Sequence, residues 1–185
     1  MGDEPVETMW AGQFITAKKQ GRWEYVSRAR GIRAAVILAI DESDGMPHIL
    51  LVGQYRVPLG KRCLELPAGL VGDDDGGENE AAETAAIREL EEETGYHAEA
   101  MHDLGEFYSS PGMVSESFSL FRAEGLRQVH AGGGLEGEDI TVHRVPLPDI
   151  SRFVTARRAE GMAIDVKLLL VLGADMTRDQ RKLSE

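Results

Sequence analysis

The stretch "AIRELEEETGY", residues 86–96, concentrates four glutamates in the five positions from Glu89 to Glu93. Residues at positions i, i+3 and i+4 of an α-helix lie on one face. The stretch therefore predicts a helix whose carboxylate face is formed by Glu89, Glu92 and Glu93. The opposing stripe is mostly apolar and consists of Ile87, Leu90 and Thr94. Glu91 falls outside the carboxylate face, and we expect it to be solvated.

Three carboxylates within about 6 Å of one another resist joint ionisation unless a cation compensates their charge. Hard oxygen ligands suit Mg²⁺ or Mn²⁺, so the carboxylate face is a candidate metal site. Taken alone, the spacing favours an ordinary solvated helix. The choice between the two interpretations depends on the surrounding sequence.

The composition restricts the class of protein. A chain of 185 residues with 42% hydrophobic residues is expected to form one domain with a sizeable core. The net charge of −12 argues against a nucleic-acid or anionic-membrane binder, but a divalent cation can still recruit a small phosphorylated substrate. The single cysteine, Cys63, fits a reducing compartment. The N-terminus "MGDEPVETMW" is acidic and lacks the apolar core of a signal peptide. The longest apolar runs are too short to span a membrane, so we expect a cytoplasmic protein.

The chain alternates strand-like and helix-like segments. Strands are predicted at residues 12–17 and 22–29, joined by a turn at "KKQG", and at residues 33–40, 48–55, 98–108, 117–122 and 140–146, with a short strand in "LELPAGL". A helix is predicted at residues 81–94 and stopped by Gly95, and the C-terminal part is helical. This order predicts an α/β fold, an α/β/α sandwich with a mixed sheet, plus a small N-terminal antiparallel β extension.

The segment "ELPAGLVGDDDGGENEAAETAAIRELEEETGY", residues 65–96, resembles the Nudix box. That pattern is a glycine, a distant glutamate, and then Arg-Glu-apolar-x-Glu-Glu-x-Gly-apolar. The matching residues are Gly69, Glu80, Arg88, Glu89, Leu90, Glu92, Glu93, Gly95 and Tyr96. The step from Gly69 to Glu80 is longer than in the family pattern. The additional residues fall in an Asp/Gly-rich loop, where insertions cost little free energy.

The resemblance implies Mg²⁺, with Mn²⁺ as the alternative, held by oxygen ligands of the box. These are the carboxylates of Glu89, Glu92 and Glu93 and the backbone carbonyl of Ala68. Glu89 and Glu93 are the principal ligands, and Glu92 shares a second or third ion. Arg88 is implied to orient the glutamates, with Glu80 as its partner.

The segment "HAGGGLEGEDITV", residues 130–142, resembles a loop found in both ADP-ribose and GDP-mannose hydrolases. It implies a general base that takes a proton from the attacking water. Glu138 is the preferred base because it matches the "GE" that precedes a strand, and Glu136 is the alternative. The glycines at positions 132–134 would let this loop close over the substrate. Without the Nudix box, a solvated acidic loop would be the favoured interpretation.

The segment "GRWEYVSRARG", residues 21–31, resembles a base-binding stretch of ADP-sugar pyrophosphatases. In those enzymes a Trp stacks on adenine, a Glu reads its amino edge and an Arg supports binding, which implies Trp23, Glu24 and Arg28 here. An indole offers a base a large flat contact. Trp10 is expected on the other side of the base, contributed by a partner subunit. The alternative is that these tryptophans pack on a β-sheet face.

Two further segments resemble ADP-sugar hydrolases. In "VGQYRVPLGKRCLELPAGL", Arg56 is positioned to meet phosphate, or alternatively to pair with one of the chain's many acids. In "SSPGMVSE", Pro111 and Gly112 resemble a marker of ADP-ribose pyrophosphatases, or simply turn the chain. Lys61 and Arg62 are expected at the surface.

Together these segments imply a Mg²⁺-dependent hydrolase that cleaves ADP-ribose or related ADP-sugars to AMP and a sugar phosphate. GDP-mannose is the alternative substrate, because the triple-glycine loop is closest to GDP-mannose hydrolases, and a non-catalytic nucleotide sensor is a further alternative. The expected partners are a small nucleoside diphosphate sugar and a second copy of the chain, with no nucleic acid or membrane. The predicted organisation is a dimerising, base-binding extension at residues 1–30, a Nudix domain at 31–178 and a polar tail at 179–185.

Overall fold

The computed structural model describes residues 4–29, 33–72, 81–135 and 137–177 of the chain. Its strands are β1 (Glu7–Ala11), β2 (Ile15–Gln20), β3 (Trp23–Arg28), β4 (Ala34–Asp41), β5 (His48–Arg56), β6 (Lys61–Glu65), β7 (Ala68–Leu70), β8 (Tyr96–His97), β9 (Ala100–Tyr108), β10 (Ser117–Glu124), β11 (Arg127–Gln128), β12 (Thr141–Pro146) and β13 (Ala163–Ile164). Its α-helices are α1 (Ala82–Thr94), α2 (Ile150–Ala159) and α3 (Leu169–Thr177). None of the helices in these ranges combines the length and the apolar content that crossing a membrane requires. The domain boundaries predicted after residues 30 and 178 lie outside the described residues.

The central sheet is mixed and runs in the order β13-β6-β5-β4-β10-β9, with β12 beside β5 and β7 beside β4. Strands β4 and β10 are parallel, as are β6 and β13, whereas β5 is antiparallel to its neighbours. Strand β4 meets β5 only at its end, through Ile40 and Asp41, because its beginning pairs with β7 instead. The sheet therefore opens between β4 and β5 at the start of β4.

Alternate residues of β4 enter two hydrophobic cores. Ile37 belongs to the same buried cluster as Leu90 of α1, whereas Val36 belongs to the cluster that contains Val154 of α2 and Leu172 of α3. Because successive side chains of a strand point to opposite faces, these clusters lie on the two sides of the sheet. The predicted α/β/α sandwich is confirmed.

Helix α1 matches the predicted helix closely. It ends where Gly95 adopts the left-handed conformation, with φ of 76°, and donates its N–H to the Glu91 carbonyl at 2.8 Å. Leu90 and Thr94 are fully buried, and Ile87 packs against the same core. The predicted apolar stripe therefore faces the sheet.

The N-terminal extension is an antiparallel sheet of three strands, β1-β2-β3, rather than the predicted two. The predicted turn at "KKQG" is wrong because Lys18, Lys19 and Gln20 belong to β2, and the hairpin turns instead at Gly21 and Arg22. Gly21 has φ of 57°, the left-handed conformation that tight hairpins require. The long lysine side chains suit this half-buried strand because only their ends need water.

Candidate active site

Glu93 is the most deeply buried member of the carboxylate face, with 6% of its surface exposed. Its Oε2 accepts a hydrogen bond of 3.0 Å from the Ala68 N–H. Burial raises the pKa of Glu93 to about 8, and the nearby Glu89 and Glu138 carboxylates act in the same direction. The Ala68 N–H and the Arg56 guanidinium oppose this rise. The ionised form of a carboxyl group in this position is the one that a neighbouring cation stabilises most.

Arg88 lies between the other two carboxylates of the face. Its Nη1 is 3.0 Å from Glu89 Oε1 and 3.3 Å from Glu92 Oε2, and its Nη2 is 3.5 Å from the Leu70 carbonyl oxygen. Burial raises the pKa of Glu89, and the Arg88 charge partly counters this rise. Arg88 thus contacts two of the carboxylates that it was predicted to orient, and the orienting role itself stays a prediction. Its predicted partner, Glu80, lies outside the described residues.

Glu91 lies apart from the carboxylate face, as predicted, and its Oε2 is 2.7 Å from His97 Nδ1. Gly69 lies directly against the face instead. A Cβ atom added to Gly69 would be 1.8 Å from Glu89 Cδ, so only glycine leaves Glu89 its position. The glycine of the box is therefore explained by a close approach between β7 and α1 rather than by a turn.

The donors around this face fit a hard divalent cation. Glu89, Glu92 and Glu93 are carboxylates, two of them have raised pKa values, and Glu93 lies beside the backbone of Ala68. Such oxygen donors suit Mg²⁺ or Mn²⁺. In the side-chain positions of the described residues, no three acidic, His or Cys groups converge on one point. Because Arg88 holds Glu89 and Glu92, these two side chains would turn to bind an ion.

The triple-glycine loop is attached to the C-terminal end of α1. Gly133 N–H donates to the Glu93 carbonyl at 2.9 Å, and Gly134 N–H donates to the Glu92 carbonyl at 3.0 Å. These bonds satisfy carbonyls that a helix end leaves without partners. A Cβ at Gly132 would lie 2.3 Å from the Thr94 carbonyl carbon. The glycines therefore allow the loop to pack against the helix, and the predicted closure of the loop over the substrate stays a prediction.

This attachment brings Glu138 to the carboxylate face. Its charge contributes to the raised pKa values of both Glu89 and Glu93. Its Oε2 accepts a 2.9 Å hydrogen bond from the Leu135 N–H, which fixes the side chain within its own loop. The alternative base, Glu136, lies outside the described residues.

Arg62 fixes the far end of the same loop, although the sequence predicted it as a surface residue. Its guanidinium forms an ion pair with Asp139 and donates to the Gly53 carbonyl at 2.7 Å and to Thr141 Oγ1 at 2.9 Å. Asp139 follows Glu138 directly, so Arg62 helps to hold the candidate base in place. The sequence offers no local signal for the contacts with Asp139 and Thr141, because these residues lie 77 and 79 positions further along the chain.

A cavity of about 540 Å³ opens beside Ala68 and Gly69, where the sheet separates. Arg56 lines it and binds Glu65 through two hydrogen bonds, of 2.6 Å from Nε and 2.8 Å from Nη2. Glu65 is 5% exposed, so the acid that pairs with Arg56 is itself buried. Arg56 thus pairs with an acid, which was the alternative to phosphate binding, and it also lines the cavity, so phosphate binding stays a prediction. Sequence reasoning missed Glu65, although a lone acid between the buried Leu64 and Leu66 was a signal.

Arg28 also lines this cavity, and its Nε is 2.6 Å from Glu116 Oε1. Just before Glu116, Pro111 and Gly112 form a turn in which Met113 N–H donates to the Ser110 carbonyl at 3.0 Å. The same segment holds β3, because Val26 N–H donates to the Met113 carbonyl at 3.0 Å. The structure thus gives Pro111 and Gly112 a turn that connects the extension to the body.

Three of the predicted base-binding side chains, those of Trp10, Trp23 and Glu24, lie outside the cavity. Trp10 and Trp23 are 57% and 54% exposed, and neither they nor Glu24 belong to the described residues that line it. Trp23 and Glu24 are adjacent in β3 and point to opposite faces. Trp10 pairs with Ala17 of β2, which in turn pairs with Val26 of β3. Directly paired residues share a face, and Val26 shares its face with Glu24 two residues earlier, so Trp10 lies on the Glu24 face. Within one copy of the chain, these residues do not surround a common point.

Several known proteins have sequences similar to that of this chain. An ADP-ribose pyrophosphatase of Bacillus subtilis is 37% identical over 125 residues, which are 67% of this chain and 63% of that protein. A GDP-mannose pyrophosphatase of Cronobacter sakazakii is 34% identical over 152 residues, covering 77% of this chain and 72% of that protein. An uncharacterized Nudix hydrolase of Schizosaccharomyces pombe is 35% identical over 155 residues, covering 79% and 73%.

The fold also matches a solved structure, described as an ADP compounds hydrolase, with a TM-score of 0.64 over 96% of this chain and 94% of that chain. The two sequences are 22% identical, so this similarity concerns the fold. A family model described as NUDIX domain matches residues 30–163, which include both the carboxylate face and the loop of Glu138. The chain therefore belongs to the NUDIX family.

Proposed function

We propose that the protein is a Mg²⁺-dependent hydrolase that cleaves the diphosphate of ADP-ribose and related ADP-sugars, releasing AMP and a sugar phosphate. One observation carries the proposal: the loop of Glu138 is bonded to the backbone of Glu92 and Glu93, beside a cavity lined by Arg28 and Arg56. Glu93, one of the proposed metal ligands, accepts a hydrogen bond from the Ala68 N–H, and Ala68 lines that cavity together with the two arginines. The carboxylate face is thus connected to the cavity through Ala68. The similarity to a Bacillus subtilis ADP-ribose pyrophosphatase supports the same substrate.

Glu89, Glu92 and Glu93, with the Ala68 carbonyl, are the proposed ligands of the metal. When bound, the ion supplies Lewis-acid stabilisation of the diphosphate charge. Glu138 removes the proton from the attacking water, and its hydrogen bond from Leu135 keeps its carboxylate oriented. Arg56 contacts a phosphate with the N–H groups that Glu65 leaves available.

The base-binding role of the N-terminal sheet requires a second copy of the chain. Trp10 and Glu24 share one face of this sheet and Trp23 lies on the other, so one copy does not enclose a base with all three. In a homodimer, Trp23 of one copy and the Trp10 and Glu24 face of the other would lie on either side of adenine. The extension at residues 1–30 then serves both dimerisation and base binding.

GDP-mannose is the second candidate substrate. The three successive glycines of the loop resemble GDP-mannose hydrolases, and a GDP-mannose pyrophosphatase is among the relatives. The geometry of the carboxylate face is compatible with either nucleotide, because the metal and Glu138 act on the diphosphate. A purely nucleotide-sensing domain is the weaker candidate, since the chain retains every carboxylate that the chemistry requires.

One assay tests the proposal directly. We expect AMP release from ADP-ribose to exceed GMP release from GDP-mannose at equal concentrations, and both to stop when EDTA removes the metal. Adding Mg²⁺ should restore turnover. If the enzyme prefers GDP-mannose, its substrate is the second candidate rather than ADP-ribose. If it binds both nucleotide sugars without turnover at saturating Mg²⁺, the protein is a nucleotide sensor.

A further inference from the structure

The ion pair between Glu65 and Arg56 joins a buried carboxylate to a partly exposed cation. The side chain of Glu65 is 6% exposed and that of Arg56 is 41% exposed. Both carboxylate oxygens accept a hydrogen bond from the same guanidinium, at 2.6 Å from Nε and 2.8 Å from Nη2. Two parallel bonds fix the plane of a guanidinium as well as its position. Glu65 therefore sets the direction in which the other N–H groups of Arg56 point.

Glu65 is itself held in place at the end of β6. Its neighbours along the chain, Leu64 and Leu66, are fully buried. Arg56 pairs with Lys61, which lies four residues before Glu65 in the same strand. Directly paired residues share a face, and so do alternate residues of one strand. The arginine side chain therefore runs back along this face of the sheet to reach a carboxylate that is fixed.

Arg56 also lies within electrostatic reach of Glu93, the most deeply buried member of the carboxylate face. The hydrogen bonds to Glu65 raise the pKa of Arg56 most, and the negative charge of Glu93 acts in the same direction. Burial raises the pKa of Glu93, and the charge of Arg56 opposes this rise. Two buried carboxylates thus act on Arg56, and the one that it contacts is Glu65.

An arginine released from Glu65 would be stabilised by moving to Glu93. A buried carboxylate is costly without a cation beside it, and the metal ion is the cation proposed for Glu93. A guanidinium paired with Glu93 would neutralise the charge that is proposed to bind this ion. The arginine and the metal would then compete for one carboxylate. Holding the arginine on Glu65 avoids this competition.

We propose that Glu65 is a positioning residue that keeps Arg56 at the cavity and away from Glu93. Its two hydrogen bonds separate the two kinds of positive charge in the site, because they leave the arginine to a phosphate and the carboxylate face to the metal. The phosphate half of this inference rests on the proposed function. The metal half involves only side chains of this chain and a divalent cation, so it is tested without a substrate.

Equilibrium binding of Mn²⁺, followed by electron paramagnetic resonance, tests the metal half. E65Q keeps the size of the side chain but removes the charge that holds Arg56, and its dissociation constant for Mn²⁺ should be about tenfold higher than that of wild type. The double variant R56M/E65Q has neither charge and should bind Mn²⁺ within about twofold of wild type. A residue with a merely structural role would not be rescued by this second change.

E116Q is the matched control for the loss of one negative charge at the cavity. Glu116 pairs with Arg28, and both residues line the same cavity as Arg56 and Glu65. E116Q therefore removes the partner of the other arginine, and its dissociation constant for Mn²⁺ should change by less than about twofold.

Turnover of ADP-ribose tests the phosphate half. At Mg²⁺ concentrations that saturate each variant, E65Q should raise KM by about tenfold and change kcat less, because the phosphate contact is lost in the ground and transition states alike. Thermal unfolding reports whether each variant is folded. If E65Q does not fold, E65D takes its place, since the shorter side chain withdraws the carboxylate from Arg56 without removing its charge, and it should weaken Mn²⁺ binding in the same direction.

Three results refute the role of Glu65. They are wild-type Mn²⁺ affinity in the folded Glu65 variant, equal weakening in E116Q, and weakening that persists in R56M/E65Q. A wild-type protein that does not turn over ADP-ribose, while the variants bind Mn²⁺ in the expected pattern, refutes the proposed function and supports the metal half of this inference.

Discussion

The backbone N–H of Gly133 donates to the carbonyl oxygen of Glu93 at 2.9 Å, so the loop of the candidate base is bonded to a proposed metal ligand. The neighbouring bond from Gly134 to Glu92 repeats this link one residue earlier in the helix. Together with Arg62 at the far end of the loop, these bonds fix where Glu138 lies relative to the carboxylate face. The spacing of base and metal ligands is therefore set by two backbone hydrogen bonds and one side-chain ion pair.

We expect Gly132→Ala to lower kcat by about tenfold or more while the protein stays folded, because a displaced loop misplaces the base. Gly132 has φ of 70°, and its added Cβ would overlap the Thr94 backbone, which cannot move within a helix. Gly45→Ala is the matched control, since Gly45 has φ of 82° and open space around it, far from the site. Steady-state kinetics at saturating Mg²⁺ measures the effect. Equal kcat values for the two variants would contradict a positioning role of the loop.

Gly69→Ala should weaken the activation by Mg²⁺ by about tenfold, because the new methyl group displaces the Glu89 side chain. The obstructing atoms belong to a flexible side chain, so the fold should persist. Turnover is measured against Mg²⁺ concentration, with equilibrium Mn²⁺ binding as an independent readout. An unchanged metal requirement would exclude Glu89 as a principal ligand.

Glu93→Gln should lower kcat by about a hundredfold or more, since the loss of a ligand charge removes transition-state stabilisation. It should also stabilise the metal-free protein. The folded pKa of about 8 lies above the ordinary value of 4.5, so folding holds a proton that the unfolded chain releases, and wild-type stability falls as pH rises from about 4.5 to 8.

The variant lacks this titration, so its free energy of unfolding should exceed that of wild type by about 4 kcal/mol at pH 8 in EDTA, with little difference near pH 4. Urea unfolding across this pH range measures the gap. If the difference in unfolding free energy does not widen with pH, the pKa of Glu93 is not raised in the folded protein. Near-normal turnover of the variant at saturating Mg²⁺ would show that Glu93 is not a metal ligand.

Helix α1 could be predicted from the sequence because its information is local. The period of the glutamates, the apolar stripe of Leu90 and Thr94, and the stop at Gly95 all lie within one short segment. The pairing of Arg56 with Glu65 could not be predicted, because it forms between neighbouring strands whose register depends on the whole sheet. Strand β1 was missed for a similar reason, since its side chains are exposed and show no buried alternation.

We expect a homodimer in solution, because the three-stranded N-terminal sheet exposes large apolar side chains and is small for an independent unit. Phe14 is 67% exposed and Met9 is 60% exposed, in addition to the two tryptophans. Light scattering at micromolar concentration should give about twice the chain mass of 20.3 kDa. A mass of one chain would remove Trp10 from the proposed base site.

The last prediction concerns recognition of the base. Trp23→Ala should weaken ADP-ribose binding by about 1–3 kcal/mol if the indole stacks on adenine. The effect should appear in KM rather than kcat, because this contact is equal in the ground and transition states. Trp10→Ala should give a similar change only if the dimer forms, since Trp10 lies on the opposite face of the sheet from Trp23. An unchanged KM in Trp23→Ala would contradict stacking.

Glu24→Gln tests the choice of base separately from stacking. A carboxylate that accepts a hydrogen bond from the adenine amino group disfavours guanine, whose oxygen at that position repels it. A glutamine can donate a hydrogen bond to that oxygen. The substitution should therefore bring the kcat/KM values for ADP-ribose and GDP-mannose closer together. Lys19→Met is the control, because Lys19 is paired with Glu24 across β2 and β3 and shares its face. If wild type already prefers GDP-mannose, Glu24 does not select adenine, and the triple-glycine loop is the better guide to the substrate.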